Sequence, residues 1–241
     1  MISVCMATYN GAKYIREQLD SILCQLSEDD EVIISDDGST DDTLEIIHSY
    51  QDSRMKLFRH VPASGSSFMK VTRNFENALM QASGDYIFLS DQDDIWCEGK
   101  IQICLRYLKD YVLVQHLRSY IITDKNCILP PDRRIPTNMI EVIAFLPFCY
   151  SGCCMAFRRG LLDLILPIPQ SVSTHDSWIG CLAFMKKGQF NINKQLVQYR
   201  VLPSTVSYGK SKNSLLKKVR YRIRLLSQLL IRYSFYKSQR L

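Results

Sequence analysis

Short apolar runs alternate with amphipathic stretches through the first half of this chain. Residues 1–7 (MISVCMA) are an apolar run that ends in the turn signal Thr8-Tyr9-Asn10-Gly11. Tyr14, Leu19, Ile22, Leu23 and Leu26 then recur at roughly helical spacing. Residues 31–35 (EVIIS) read as a second strand and residues 55–58 as a third. Between them Leu44, Ile46 and Ile47 mark a helix, for which Thr40 or Asp41 would be the N-cap. A Ser/Gly loop at 62–67 leads into a helix over about 69–81, with Phe75, Leu79 and Ala82 on its inner side. Residues 86–89 (YIFL), preceded by Gly84, read as a buried fourth strand. This alternation predicts right-handed βαβ units and a parallel sheet, hence an α/β fold.

The second half is less regular. A helix is expected over about 99–109, strands at 111–114 and 119–123, and a Pro-rich loop at 126–137. Ser151-Gly152 precedes an apolar run at 153–157, His175 and Asp176 open a helix to about 187, and residues 190–200 read as extended. The apolar window 140–157 contains Glu141, Pro147, Ser151 and Gly152, so it reads as core rather than a membrane span.

In a parallel sheet Thr8, Asp36, Asp37 and Asp91 all fall at strand carboxyl ends, along one edge, where open α/β sheets bind ligands. The fourth strand runs into Ser90-Asp91-Gln92-Asp93-Asp94-Ile95-Trp96, three carboxylates within four residues and no Lys or Arg among them. Carboxylates that close repel unless a cation or hydrogen-bond donors balance them. Hard divalent cations take oxygen ligands, often one or two carboxylates plus substrate phosphates, so a metal–diphosphate site is expected here. The plainer alternative is an acidic turn in which Asp94 caps the next helix.

Composition narrows the picture in two places. Nine cysteines, an odd number with no CxxC pair, argue against a disulfide framework and a zinc site and fit reduced thiols in the cytoplasm. Residues 2–7 already read as core, so no secretory signal is expected ahead of the first strand. The net charge of +6 hides an asymmetry. Ten of the 30 Lys and Arg lie from Lys210 onward with no acid among them, leaving 20 against 24 acids, or about −4, for residues 1–209.

Four motifs occur in order: VCMATYN at 4–10, SDDGSTD at 35–41, LSDQDDIW at 89–96 and HDSW at 175–178. Together, over roughly residues 1–207, they resemble the family 2 glycosyltransferases, which have the GT-A nucleotide-diphospho-sugar transferase fold. The DQDDIW form is similar to a bacterial branch of rhamnosyltransferases and related capsule and O-antigen enzymes. The resemblance implies a nucleotide-binding half at 1–97 and an acceptor-binding half at 98–207. Thr8 with Asp36 or Asp37 would meet base and ribose, where a carboxylate can accept N–H or O–H bonds. Arg73 resembles the family's basic residue near the nucleotide; its alternative is a solvated arginine on a helix face. Asp91 and Asp93 match the DxD pair, which would hold Mn²⁺ or Mg²⁺, Asp91 also reaching the ribose. If extended, the two would point the same way, about 6.6 Å apart. Asp176 matches the catalytic base, with inversion in a single displacement, and would otherwise be only a helix cap. His175 suits a polar wall better than a metal ligand, since the four histidines include no i,i+4 pair. Arg200 keeps the Tyr-Arg of a Tyr-Arg-x-His pattern, whereas Leu202 stands where the His is expected and Thr205 where Asn is.

The expected partners are a nucleotide-diphospho-sugar donor and a lipid-linked saccharide acceptor, with no nucleic acid. The alternatives are a non-catalytic sugar-nucleotide or membrane-binding scaffold and a nucleotidyltransferase. The latter fits less well, because Thr8-Tyr9-Asn10-Gly11 occupies the place of a Gly- and Arg-rich phosphate loop. In the tail, 208–241, Leu215, Leu216, Val219, Ile223, Leu226, Leu230 and Phe235 recur at near-helical spacing among Lys and Arg. Such a stripe would either lie on the cytoplasmic face of the inner membrane through residues 210–241 or pack on the domain.

Overall fold

The computed structural model describes residues 1–122, 135–136, 138, 141, 150–202 and 214–238. All of the expected loop at 126–137 except 135–136, half of the window 140–157, and Thr205 lie outside these residues.

One eight-stranded sheet runs through both expected halves, in the order β3-β2-β1-β4-β7-β6-β8-β5. Its strands are β1 (Ile2–Thr8), β2 (Glu31–Asp36), β3 (Met55–Arg59), β4 (Tyr86–Ser90), β5 (Ile95–Trp96), β6 (Leu113–Ile122), β7 (Met155–Arg158) and β8 (Gln189–Val201). The described helices are α1 (Ile15–Leu23), α2 (Thr43–Ser49), α3 (Ser67–Gln81), α4 (Lys100–Leu108), α5 (Leu162–Ile165), α6 (His175–Met185) and α7 (Leu215–Ser238). The expected parallel sheet holds for β3, β2, β1 and β4. Beyond β4 the sheet is mixed: β7 is antiparallel to both β4 and β6, β8 is parallel to β6, and β5 is antiparallel to β8.

Both faces of the sheet are covered, which is why the first strands read as unbroken apolar runs. Along β1, Cys5 joins a cluster with Ile33, Phe75, Leu79 and Trp178, while Val4 and Met6 join one with Ile34, Leu19, Ile22 and Ile101. The sheet also curls. From Ser90 to Ile95 the chain reaches about 18 Å at most, whereas the four strand spacings from β4 to β5 would take about 19 Å in a flat sheet. Residues 91–94 are thus a strap joining the carboxyl end of β4 to the edge strand β5.

Several local expectations are corrected. The expected strands 111–114 and 119–123 are one strand, β6, with irregular pairing to β8 near Leu117 that hid its continuity. Asp94 is not a cap, because α4 begins after Gly99 in a left-handed turn (φ 74°). The N-cap of α2 is Asp42, not Thr40 or Asp41; the Asp41 carboxylate instead binds the backbone N–H and hydroxyl of Thr43. The described cysteines are all free.

Gly84 shows how tightly β4 enters the sheet. A Cβ there would stand 2.7 Å from the backbone carbon of Ile2 and 2.7 Å from the nitrogen of Ser3. Neither backbone atom can turn aside, so Gly84→Ala is expected to destabilise by about 1–3 kcal/mol. In thermal unfolding that is a drop of roughly 3–10 °C; an unchanged midpoint would mean β1 and β4 are not packed this closely.

Candidate active site

Parallel pairing aligns the strand exits that carry the candidate residues. Thr8 pairs with Asp36 across β1 and β2, and Met6 pairs with Ser90 across β1 and β4. Thr8 Oγ1 donates to Asp36 Oδ2 at 2.8 Å. Asp36 also accepts from Gly38 N, Ser39 N and the Ser39 hydroxyl, so both its oxygens are spent shaping the loop after β2. Asp37 differs: one oxygen meets His60 Nδ1 at 2.5 Å, and the other makes no hydrogen bond among the described residues. Burial raises the Asp37 pKa against the lowering effect of His60. Of the two carboxylates offered for the nucleotide, Asp37 is the one with capacity left.

The strap 91–94 is pinned at both ends. Gln92 Oε1 accepts from Tyr9 N and its Nε2 donates to Tyr9 O, tying the strap to the loop after β1. This amide lies where a Cβ on Gly11 would be, 2.3 Å from Oε1, so Gly11 leaves it room. At the other end Arg200 N donates to Asp94 Oδ1 at 3.0 Å, and Arg200 Nε donates to the Asp93 carbonyl at 2.9 Å. The Arg200 guanidinium also reaches Glu17 at 2.6 Å and lies over the Tyr14 ring. Arg200, expected to touch the nucleotide sugar, therefore holds the acidic strap in place. Leu202 is buried just beyond the end of β8.

The carboxylates that converge are not the expected pair alone. Ligand atoms of Asp91, Asp94 and Cys153 lie within 4.8 Å of one another; Asp93 is not of that group. Asp94 is fully buried, and its Oδ2 has no hydrogen-bond partner. Burial, with the charges of Asp93 and Asp176, pushes the Asp91 pKa up to about 7. Burial likewise brings Asp93 to about 6, against the pull of Arg200, and raises Asp94 further. Asp91 thus senses both the strap and Asp176. Cys153 is held protonated by its contact with Cys154 and by burial, so the donors a cation would draw on are the carboxyl oxygens of Asp91 and Asp94 rather than a thiolate. That set, with an unpartnered buried oxygen in it, fits a hard divalent cation better than a thiolate-loving one.

Two buried cations, outside the acidic run itself, offset this charge. Lys100 is fully buried, donates to the Cys153 carbonyl at 2.9 Å and lies 3.8 Å from the centre of the Trp96 ring. Arg118, on β6, donates to Ser151 and Tyr120, packs over Tyr199, and its charge lowers the Asp91 pKa. Sequence reasoning missed both. Arg118 left a signal: it shares one face of a strand with Val114, His116 and Tyr120, an odd place for a charge that nothing requires.

Asp176 lies in the first turn of α6, but Thr174 holds the N-cap position, so Asp176 is not the cap. Its Oδ1 accepts from Ser177 N at 2.7 Å. His175 is buried and stacks on Phe75 with ring centres 4.2 Å apart, and burial lowers its pKa, so it is a neutral wall. One turn of α3 joins this region to the nucleotide edge. Thr72 Oγ1 accepts from His175 N, and Asn74 Nδ2 donates to Thr8 O. Arg73 is neither solvated nor on the cleft. Its guanidinium binds Glu76 and the carbonyls of Ile168, Pro169 and Val172, clamping the segment that leads to Asp176.

The profile of glycosyl transferase family 2 matches residues 3–166. The chain belongs to this family. Among its relatives is the Escherichia coli UDP-Glc:alpha-D-GlcNAc-diphosphoundecaprenol beta-1,3-glucosyltransferase WfaP, 29% identical over 214 residues, 88% of this chain and 82% of WfaP. The Shigella flexneri dTDP-rhamnosyl transferase RfbG is 43% identical over 100 residues, 40% of this chain and 34% of RfbG. In fold the chain is similar to S. aureus TarS in complex with UDP-GlcNAc, with a TM-score of 0.71 at 18% identity, over 95% of this chain and 66% of that one. It is also similar to Mycobacterium tuberculosis glucosyl-3-phosphoglycerate synthase in complex with Mn²⁺, UDP and glucosyl-3-phosphoglycerate, with a TM-score of 0.56 at 18% identity, over 96% of this chain and 79% of that one. The family member therefore has the GT-A fold that its four motifs implied.

Proposed function

We propose that this family 2 member is an inverting glycosyltransferase that moves a sugar from a nucleoside-diphosphate donor to a hydroxyl of a lipid-linked saccharide. The observation that carries the reading is the convergence of Asp91 and Asp94 at the carboxyl end of β4, beside the exits of β1 and β2, with Asp93 and Asp176 near enough for their charges to raise the Asp91 pKa. The UDP-Glc in WfaP's name and the UDP-GlcNAc bound to TarS support the donor class, and the diphosphoundecaprenol in WfaP's name supports a lipid-diphosphate acceptor. Bacterial surface polysaccharide is the setting those relatives suggest, and an acceptor of that kind puts the enzyme to work at a membrane surface.

Thr8 and Asp37 would meet the nucleoside, and residues 1–97 would form most of the donor side. Asp91, Asp93 and Asp94 would hold Mn²⁺ or Mg²⁺, which supplies positive charge against the leaving diphosphate. Asp176 takes the proton from the acceptor hydroxyl as its oxygen bonds to the anomeric carbon, and the bond from that carbon to the diphosphate breaks. Gln92, Arg200 and Arg73 would act by fixing the strap and the segment before the base.

Thermal unfolding with nucleotide sugars, with and without Mn²⁺, tests this at two pH values. A ligand that binds the folded chain raises the midpoint. Asp91 and Asp93 have folded pKa values near 7 and 6, above the unfolded carboxylate value of about 3.9. Their protonation therefore favours the fold fully below about pH 4, and that contribution is lost as pH rises through 6 to 7. A cation takes the protons' place. Mn²⁺ with the right donor should raise the midpoint by several degrees at pH 8 and far less at pH 5. Equal shifts at both pH values would place the cation elsewhere.

A further inference from the structure

The tail helix α7 has two apolar faces, and the domain uses only one. Leu225 and Leu229 are buried in the core cluster, with Tyr221, Leu226, Tyr233 and Tyr236 packed beside them. Polar contacts fix this side: Arg232 binds the carbonyls of Leu164, Leu166 and Pro167, the Tyr233 hydroxyl binds Met185 O, and Tyr221 meets Thr174 Oγ1 at 2.6 Å. Of the stripe expected from sequence, Leu226 packs on the domain, whereas Leu216, Val219, Ile223, Leu230 and Phe235 lie on the other face. Leu216, Ile223 and Leu230, seven residues apart, fall nearly in line. They are 69%, 63% and 57% exposed, and Val219, Ile231 and Phe235 are exposed with them. Ile223 and Leu225 are two residues apart, about 200° around the helix, so the exposed stripe lies opposite the docked one.

We infer that this outer face of α7 is the surface by which the enzyme lies on an anionic lipid bilayer. Apolar area alone would not choose an occupant; charge does. Lys217, Arg220 and Arg224 are exposed along the stripe, the whole tail has no acid, and residues 1–209 carry about −4. A surface that is apolar and positive on one helix face of an otherwise acidic protein matches acyl chains beneath anionic headgroups. No described helix is long and apolar enough to cross a membrane, so α7 lies on the bilayer rather than through it. The docked face gives this position a use. Tyr221 holds Thr174, two residues before Asp176, so the helix is rooted beside the proposed base. The use, though not the surface itself, rests on the lipid-linked acceptor proposed above.

The test is flotation of the full chain with vesicles of phosphatidylcholine alone or with 30 mol% phosphatidylglycerol (~30%, enough to give a strongly negative surface). The chain should float with the anionic vesicles, and binding should fall at least tenfold in 0.5 M salt, roughly the range in which surface charge is screened. The double variant Ile223→Ser/Leu230→Ser should lose binding by a similar factor while keeping the wild-type thermal midpoint and circular dichroism. Leu225→Ser, on the docked face, should instead lower the midpoint. Failure to float, or flotation of the double variant like wild type, overturns the inference. So does a wild-type dimer that the double variant dissolves, since a second copy would then own the face. Donor hydrolysis in vesicle-free solution is followed in parallel. Loss of flotation with hydrolysis intact removes the membrane surface alone, and flotation without hydrolysis removes the transferase reading alone.

Discussion

Asp176→Asn is expected to abolish most turnover, by about 10³-fold, while leaving donor binding and folding nearly intact. The substitution keeps the shape of the side chain and an oxygen that can still accept from Ser177 N. The N-cap position belongs to Thr174, so the loss for α6 is limited to one favourable charge in its first turn, about 0.3–1 kcal/mol. What disappears is the ability to take a proton from the acceptor hydroxyl. Removing one negative charge also eases the repulsion felt by Asp91, whose pKa Asp176 helps to raise. The donor-induced rise in thermal midpoint should therefore be equal or slightly larger in the variant. Turnover within a few-fold of wild type would deny Asp176 the role of base.

Asp91→Asn should produce the opposite signs in stability and activity. Asp91 is crowded by Asp93 and Asp176, with Asp94 close by, and the cations Arg118 and Lys100 offset the repulsion only in part. Neutralising one member of such a set removes repulsion from the chain without cation. At pH 8 its midpoint should rise by a few degrees, as when other functional sites are relieved of strain. The same change removes a cation ligand and the charge on which the site depends, so turnover should fall by about 10²-fold or more. The further rise in midpoint with Mn²⁺ and donor should vanish. A purely structural Asp91 would give the reverse pattern, a lower midpoint and a Mn²⁺ response that survives.

These outcomes separate what the chain discloses in sequence from what it does not. Strand and helix periods on β1 to β4 were legible because both sheet faces are apolar and the connections are regular. The motifs located the strap for the same reason, since parallel strands deliver their exits to one edge. Side-chain employment was not legible. Asp36, Arg73 and Arg200 carry the residue types that a nucleotide would want, yet each is consumed by backbone groups or acids that arrive from distant sequence. Of the balancing cations, Lys100 stands six residues beyond Asp94 and is brought back by the turn into α4, whereas Arg118 comes from β6, beyond the reach of a local charge count. Asp94 was offered as a cap because acids precede helices, but Gly99 starts α4, and Arg200 turns the Asp94 carboxylate inward. In the tail the periodicity was legible and its direction was left open between membrane and domain, because two faces of one helix repeat at the same spacing.

The central claim is that Asp91 anchors a cation-dependent donor site shared with Asp176. Calorimetric titration of a nucleoside diphosphate into the wild-type chain and into Asp91→Asn, each with and without Mn²⁺ at pH 8, tests it most directly. The account predicts wild-type binding that strengthens at least tenfold with Mn²⁺ and an Asp91→Asn chain that shows no such gain. Equal Mn²⁺ enhancement in both would contradict it.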